Sequence, residues 1–172
     1  MGRHTILNGD DGSPYQTRYW LGRARLHVMY RGDLDPDAHD HPWSFWTFPL
    51  HSYVEEVWHP DGYGGYRKRW EVVRAWRLHY RPATYLHRII GRWSGGYTAG
   101  FQHFVWDDQF IAHPKGPMTF VPGVKEGTIV TLVWRGRKER AWGFMKNRAG
   151  RWCWQAWRDY VNGGRNAACS DD

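Results

Sequence analysis

The chain has 172 residues and a formal net charge of +7, from 24 basic and 17 acidic side chains. That length suits one domain, and 13 Trp with 17% aromatic residues exclude an intrinsically disordered chain. No run approaches the roughly 20 apolar residues of a membrane span. The segment Met1 to Asp10 lacks the apolar centre of a signal peptide, so a soluble, cytoplasmic protein is expected.

Strand signals dominate in chain order. Arg23 to Tyr30 alternates Leu26, Val28 and Tyr30 against Arg25, His27 and Met29. His39 to Pro49 is aromatic and β-favouring, and Tyr53 to Trp58 mixes β-branched, aromatic and acidic residues. Tyr66 to Trp70, Val72 to Tyr80, Tyr85 to Ile90, Thr128 to Arg135 and Arg140 to Met145 complete about eight short segments. Gly- and Pro-rich turns separate them, and only Trp152 to Tyr160 is expected as a short helix. This pattern indicates an all-β sandwich or barrel. The expected layout is a loose segment at 1–14, one barrel domain at 15–161 and a loose tail at 162–172. Within the barrel, an insertion at about 92–127 is too long for a turn and reads as a lid or binding loop.

Cys153 and Cys169 are too few for a disulfide framework or a zinc ribbon and read as incidental. Most basic residues are arginines, whose planar forks suit phosphate and carboxylate. They are scattered among tryptophans rather than gathered in a stripe, which ranks nucleic-acid binding low.

The chain has 10 His. In His39-Asp-His41, two imidazoles at i and i+2 on a strand share one face, about 7 Å apart along the chain, and can converge on one ion. His87 closes the run Pro82-Ala-Thr-Tyr-Leu-His. Trp43 and Phe45 extend the face of His39 and His41, with Tyr30, Arg81 and Arg88 as candidates for holding a polar or anionic group. His103, in the insertion, is a candidate for the pocket mouth, and Asp40, on the opposite face, is a candidate for a salt bridge with Arg88.

His-x-His followed by Pro-x-small-x-x-His resembles the two motifs of the cupin superfamily. Gly32 stands one residue further from His39 than the pattern has it, and Thr84 replaces the second motif's glycine. The run from His39 to Trp46, with Trp142, Phe144 and Trp152 later, is similar to small cupins of bacteria and their phages. The resemblance covers about Leu26 to Tyr160, apart from the insertion. It implies a double-stranded β-helix, the cupin jelly roll, with a metal held inside by His39, His41 and His87. The motif's glutamate would fall at Phe45 or Trp46, which cannot bind a metal, so Glu55 (or Glu56) is the remaining carboxylate candidate. A His-rich set suits a divalent transition metal, with Fe(II) placed first and Zn, Ni, Cu or Co as alternatives, or no metal in a degenerate site. The leading expectation is a metal-dependent enzyme of dioxygenase type, ahead of isomerase, acting on a small aromatic or anionic molecule. A non-catalytic cupin that sequesters a ligand such as a nucleotide comes second, and a basic nucleic-acid-associated scaffold third. Homodimerisation through the outer sheet is an expectation by analogy.

Overall fold

A computed structural model describes residues 1–7, 12–101, 104–106, 109–111 and 118–169. Among the described residues, fifteen strands and a short helical segment follow one another. They are β1 Gly2–Leu7, β2 Pro14–Leu21, β3 Ala24–Met29, β4 Ala38–His39, β5 Phe45–Pro49, β6 Tyr53–Pro60, β7 Tyr66–Val73 and β8 His79–Arg81. After them come β9 His87–Phe101, β10 Phe104–Trp106, β11 Gln109–Ile111, β12 Met118–Lys125, β13 Ile129–Arg135, β14 Gly143–Arg148 and β15 Arg151–Ala156. The chain then turns through α1, Trp157–Asp159, and one wider helical turn, Tyr160–Gly164.

Every ladder among the described residues is antiparallel. One sheet runs β1-β2-β3-β13-β5-β8 and the other β15-β14-β4-β9-β6-β7, with β12 also on β9. The fold is all-β, two facing sheets with one short C-terminal helix, as the cupin resemblance implies. Alternation explains which side chains lie between the sheets. On β13, Ile129, Thr131 and Val133 are buried while Leu132 and Trp134 are exposed. On β5, Phe45, Thr47 and Pro49 are buried. Met29 and Ile129 of the first sheet join Tyr53, Val73 and Ile89 of the second in one core cluster. Each such apolar side chain contributes about 1.5–3 kcal/mol by leaving water. Strand β6 is buried on both faces from Tyr53 to Trp58. Its outward Trp58 packs with Ala38, Leu86, Met145 and Trp152.

Several expectations change here. Gly2–Leu7 is not loose: it pairs along β2, and neither strand was foreseen. Residues 74–78 break the expected Val72 to Tyr80 strand, with Trp76 in the left-handed region (φ 62°). The expected helix begins late, because Arg151–Ala156 pairs with β14 instead. The described part of the insertion is a stranded arm rather than a loop: β9 continues to Phe101, β12 returns along it from Met118↔Phe101 to Lys125↔Arg92, and β10 pairs with β11. Its described side chains are largely exposed, Tyr97 and Phe120 among them. The tryptophans are not chiefly core either. Trp58 is buried, whereas Trp20, Trp46, Trp70, Trp76, Trp134, Trp154 and Trp157 are exposed.

Cys153 and Cys169 form a disulfide, which overturns the reading of two incidental thiols. It ties the C-terminal segment to β15. The same segment is held by Lys146, whose Nζ donates to the carbonyls of Gly164 (2.7 Å) and Ala167 (2.9 Å). Two cysteines 16 residues apart, one in a polar tail, carry no pairing signal until β15 and the tail are brought together. No helix among the described residues is long and apolar enough to cross a membrane.

The bridge closes a loop of 16 residues, for which denatured-state restriction contributes about 2–3 kcal/mol. Reduction, or Cys169→Ser, should lower the unfolding free energy by that amount in urea titrations followed by tryptophan fluorescence. The oxidised native protein should show no titratable thiol.

Candidate metal centre

The site begins where β4 ends. His39 lies opposite His87 of β9 on one side and Phe144 of β14 on the other. Both partners share its face, which is the inner one. The chain then bends rather than continuing as a strand. Asp40 makes the bend: its N–H donates to the Gly143 carbonyl (3.0 Å) and its Oδ1 accepts from the Gly143 N–H (2.8 Å). Position 143 must be glycine, since a Cβ there would sit 2.0 Å from the Gln155 carbonyl oxygen. Asp40 Oδ2 accepts from Trp154 Nε1 (2.9 Å) and pairs with Arg140 (3.1 Å). The expected Asp40–Arg88 pair is therefore replaced by Asp40–Arg140. Beyond the bend, His41 N–H donates to the Ala83 carbonyl (3.1 Å), which returns its imidazole to the interior.

One donor atom from each of His39, His41 and His87 lies within 4.8 Å of the others. The ring centroids are 5.0–5.2 Å apart, and Nε2 of His41 and Nε2 of His87 are 2.8 Å apart. Burial, the largest effect, pushes His39 down to about 4 and His41 well below its ordinary value; the neighbouring imidazoles and Arg18 act in the same direction. Asp33 opposes this at His39 without overcoming it. Neutral imidazoles present lone pairs, the form in which histidine binds metals.

Behind His87 lies Glu55, fully buried. Its Oε1 accepts from His87 Nδ1 (2.9 Å) and the Tyr53 hydroxyl (3.1 Å). Its Oε2 accepts from Arg81 (3.1 Å) and the Tyr85 hydroxyl (3.1 Å). Burial works to raise this carboxyl, but His87, Arg81 and Tyr53 outweigh it and hold it at about 2. A carboxylate on Nδ1 keeps the ring proton there and turns the Nε2 lone pair toward His41, the arrangement that orients metal-ligating histidines. Glu55 thus reaches the cluster through His87, with both oxygens engaged by these donors.

The remaining sequence candidates divide by strand face. Phe45 meets His41 edge-on at 4.8 Å. Trp142 and Phe144 stand 6.3 and 5.8 Å from His39, stacked on Trp157 and Tyr160. Trp43 does not extend the histidine face, because the bend intervenes; its ring lies under Arg135 at 4.8 Å. Arg81 is committed to Glu55. Arg88 follows His87, so it emerges on the opposite face and pairs with Glu56 (2.9 Å). Tyr30 follows Met29 out of the core; it is exposed, its hydroxyl 3.0 Å from Thr17 Oγ1. His103 lies outside the described residues.

Sequence reasoning missed Tyr53 and Tyr85 as supports of Glu55, and the whole of β2. That strand places Gln16 and Arg18 on the inner face, opposite Met29 and His27 of β3. His27 is pushed down to about 3 by burial first, then by Arg18 and Arg25. The alternation in Tyr15-Gln-Thr-Arg-Tyr-Trp was the available signal, obscured by polar residues at inward positions.

No family model and no curated protein matches the chain. Among solved structures, it is similar to Fe(II)-HppE with an alternative substrate, at 9% identity and a TM-score of 0.43. That alignment covers 78% of this chain and 56% of the other. Hydroxypropylphosphonic acid epoxidase from S. wedmorenis matches at 10% identity and a TM-score of 0.42, over 78% of this chain and 55% of that one. DMSP lyase DddQ from Ruegeria pomeroyi DSS-3 matches at 13% identity and a TM-score of 0.36, over 82% and 49%. The chain thus spans only about half the length of these structures.

Glu55→Gln keeps the shape but removes the charge, leaving Arg81 without its counter-ion; a loss of about 3 kcal/mol is expected in urea unfolding at pH 7. The carboxyl is held below its ordinary 4.5, so its contribution is complete above that pH and is lost as pH falls toward 2. Stability of the variant, measured by the same titration across that span, should decline less than that of the wild type.

Proposed function

We propose that the chain is a metal-dependent cupin enzyme that acts on a small molecule at His39, His41 and His87. The observation that carries this is the approach of three imidazole donors to within 4.8 Å of one another in the barrel interior. The donor set fits a divalent transition ion: imidazole nitrogens suit Fe(II), Zn, Ni, Cu or Co rather than Mg or Ca. Three protein ligands also leave open positions, the mark of a catalytic rather than a structural site. A bound ion would supply Lewis-acid activation of the substrate. Glu55 holds the His87 ring and its proton in place. Phe45, Trp142 and Phe144 form an apolar wall beside the histidines that restricts water. We place Fe(II) and an oxygenase-type reaction first, with Zn, Ni, Cu and Co as alternatives that the three nitrogen donors fit as well.

Metal analysis tests this reading. After anaerobic reconstitution with Fe(II), and separately with Co(II) and Zn(II), the protein should retain about one ion per chain after desalting. His39→Ala/His41→Ala should retain only trace metal, with an unchanged far-ultraviolet circular dichroism spectrum. Equal trace metal in both would overturn the proposal and leave a barrel that binds its ligand without an ion.

A further inference from the structure

We propose that Arg18 is the anion-recognition residue of the barrel, and that the molecule bound there carries a small oxyanionic group directed to its guanidinium. The position of the molecule's other end, toward the histidines, rests on the metal-centre reading above; the anion site itself does not.

Strand register establishes where Arg18 points. It lies opposite His27, and Gln16 opposite Met29; His27 in turn lies opposite Thr131 of β13. Met29 packs on Tyr53 and Ile89 of the facing sheet, and Thr131 is 2% exposed. Ile89 is two residues from His87 on β9 and shares its face. Arg18 and the histidine cluster therefore look into the same interior from opposite sheets. The depression of His27, His39 and His41 by the charge of Arg18 agrees with that placement.

What distinguishes Arg18 among the inward-facing arginines is that it makes no ion pair with any described residue, Asp33 acting on its charge without a direct bond. Arg81 pairs with Glu55, Arg88 with Glu56, Arg140 with Asp40 and Arg148 with Asp37. Arg18 donates its Nε to Gln16 Oε1 (2.7 Å), and its two terminal nitrogens have no protein acceptor among the described residues. The nearby carboxylate, Asp33, already accepts from the Tyr15 hydroxyl and from the Ile89 N–H (2.6 Å). Burial lowers the pKa of Arg18, yet a guanidinium does not shed its proton in proteins, so the charge stays and the missing partner keeps its cost. Gln16 fixes the side of the fork that carries Nε and leaves the terminal edge, which matches a carboxylate or phosphate oxygen pair in two parallel hydrogen bonds. A partly buried arginine held in this way is preorganised for an anion rather than for the fold.

The test uses the full chain, metal-loaded and metal-free, titrated calorimetrically with acetate, oxalate and inorganic phosphate at constant ionic strength. At least one of these should bind the wild type. Arg18→Met should weaken that binding by about tenfold or more while retaining wild-type metal content. It should also be at least as stable as the wild type in anion-free buffer, where a purely structural arginine would give a loss. Arg18→Lys, which keeps the charge without the fork, should bind with intermediate affinity and covers the case in which Arg18→Met fails to fold. His39→Ala/His41→Ala should lose metal yet keep Arg18-dependent binding to the metal-free form. Oxyanion affinity equal in the wild type and both Arg18 variants, or absent from metal-loaded and metal-free wild type alike, overturns the inference. Metal loss from the wild type with Arg18-dependent binding intact overturns only the metal reading.

Discussion

A carboxylate buried at the centre of a β-barrel must be paired, and the pairing of Glu55 organises the second sheet. Glu55 and Glu56 are adjacent on β6, so they leave the strand on opposite faces. His87 and Arg88 are adjacent on β9 and do the same. The inner pair is Glu55 with His87, and the outer pair is Glu56 with Arg88. A slip of one residue between β6 and β9 would turn Glu55 outward, away from Arg81 and Tyr85, and removing one partner of a buried pair costs about 3–5 kcal/mol. The ladder is irregular between Val54 and Glu55, which brings Glu55 opposite Ile89 while Val54 stays opposite Gly91. Register on this ladder is thus specified by charge as well as by apolar burial. His87 is then the fixed point against which β4 places His39.

The same alternation explains how much of the site was legible. The three histidines stood out because their spacing is local: one residue separates His39 from His41, and His87 ends a recognisable run. Arg88 and Tyr30 were attractive for nearness in sequence, but each is one residue from an inward side chain, and that parity sends it outward. Arg18 was missed for the converse reason. Its strand carries polar residues inward, where periodicity searches expect apolar ones, and its relation to His27 depends on a cross-strand pairing. The bend at Asp40 was equally hidden, because it depends on Gly143, Trp154 and Arg140, all more than 90 residues away. Of the fold, β3, β5, β6 and β13 were legible from their β-favouring composition and apolar positions, whereas β1, β2 and the long arm were not.

The tryptophans and arginines that dominate the composition belong together. Arg74 lies over Trp93 at 4.1 Å, Lys68 over Trp58 at 4.3 Å and Arg135 over Trp43 at 4.8 Å. Arg25 and Arg140 lie over Trp20 and Trp154 at 5.7 Å. Cations on indole faces gain electrostatic attraction and cover apolar area that would otherwise meet water. This gives a sheet surface rich in aromatics a charged cover, and spreads positive charge over the molecule. Scattered arginine is the expected result of that arrangement, whereas a nucleic-acid groove would need the charges aligned.

The barrel interior follows a stricter rule than the surface, since a charge there meets little water. Glu55 is balanced by Arg81, with His87 and two tyrosine hydroxyls completing its hydrogen bonds. His27, His39 and His41 are driven toward the neutral form by burial. Arg18, with Asp33 acting on its charge but not bonded to it, faces this cluster of uncharged nitrogen donors. A divalent ion on those donors would add positive charge to the same space, and an oxyanion on Arg18 would offset it. By linkage, each would then strengthen the other's binding by the same factor. The arginine and the ring of histidines are thus complementary halves of one electrostatic arrangement: one attracts an anion, the other presents lone pairs that suit a cation.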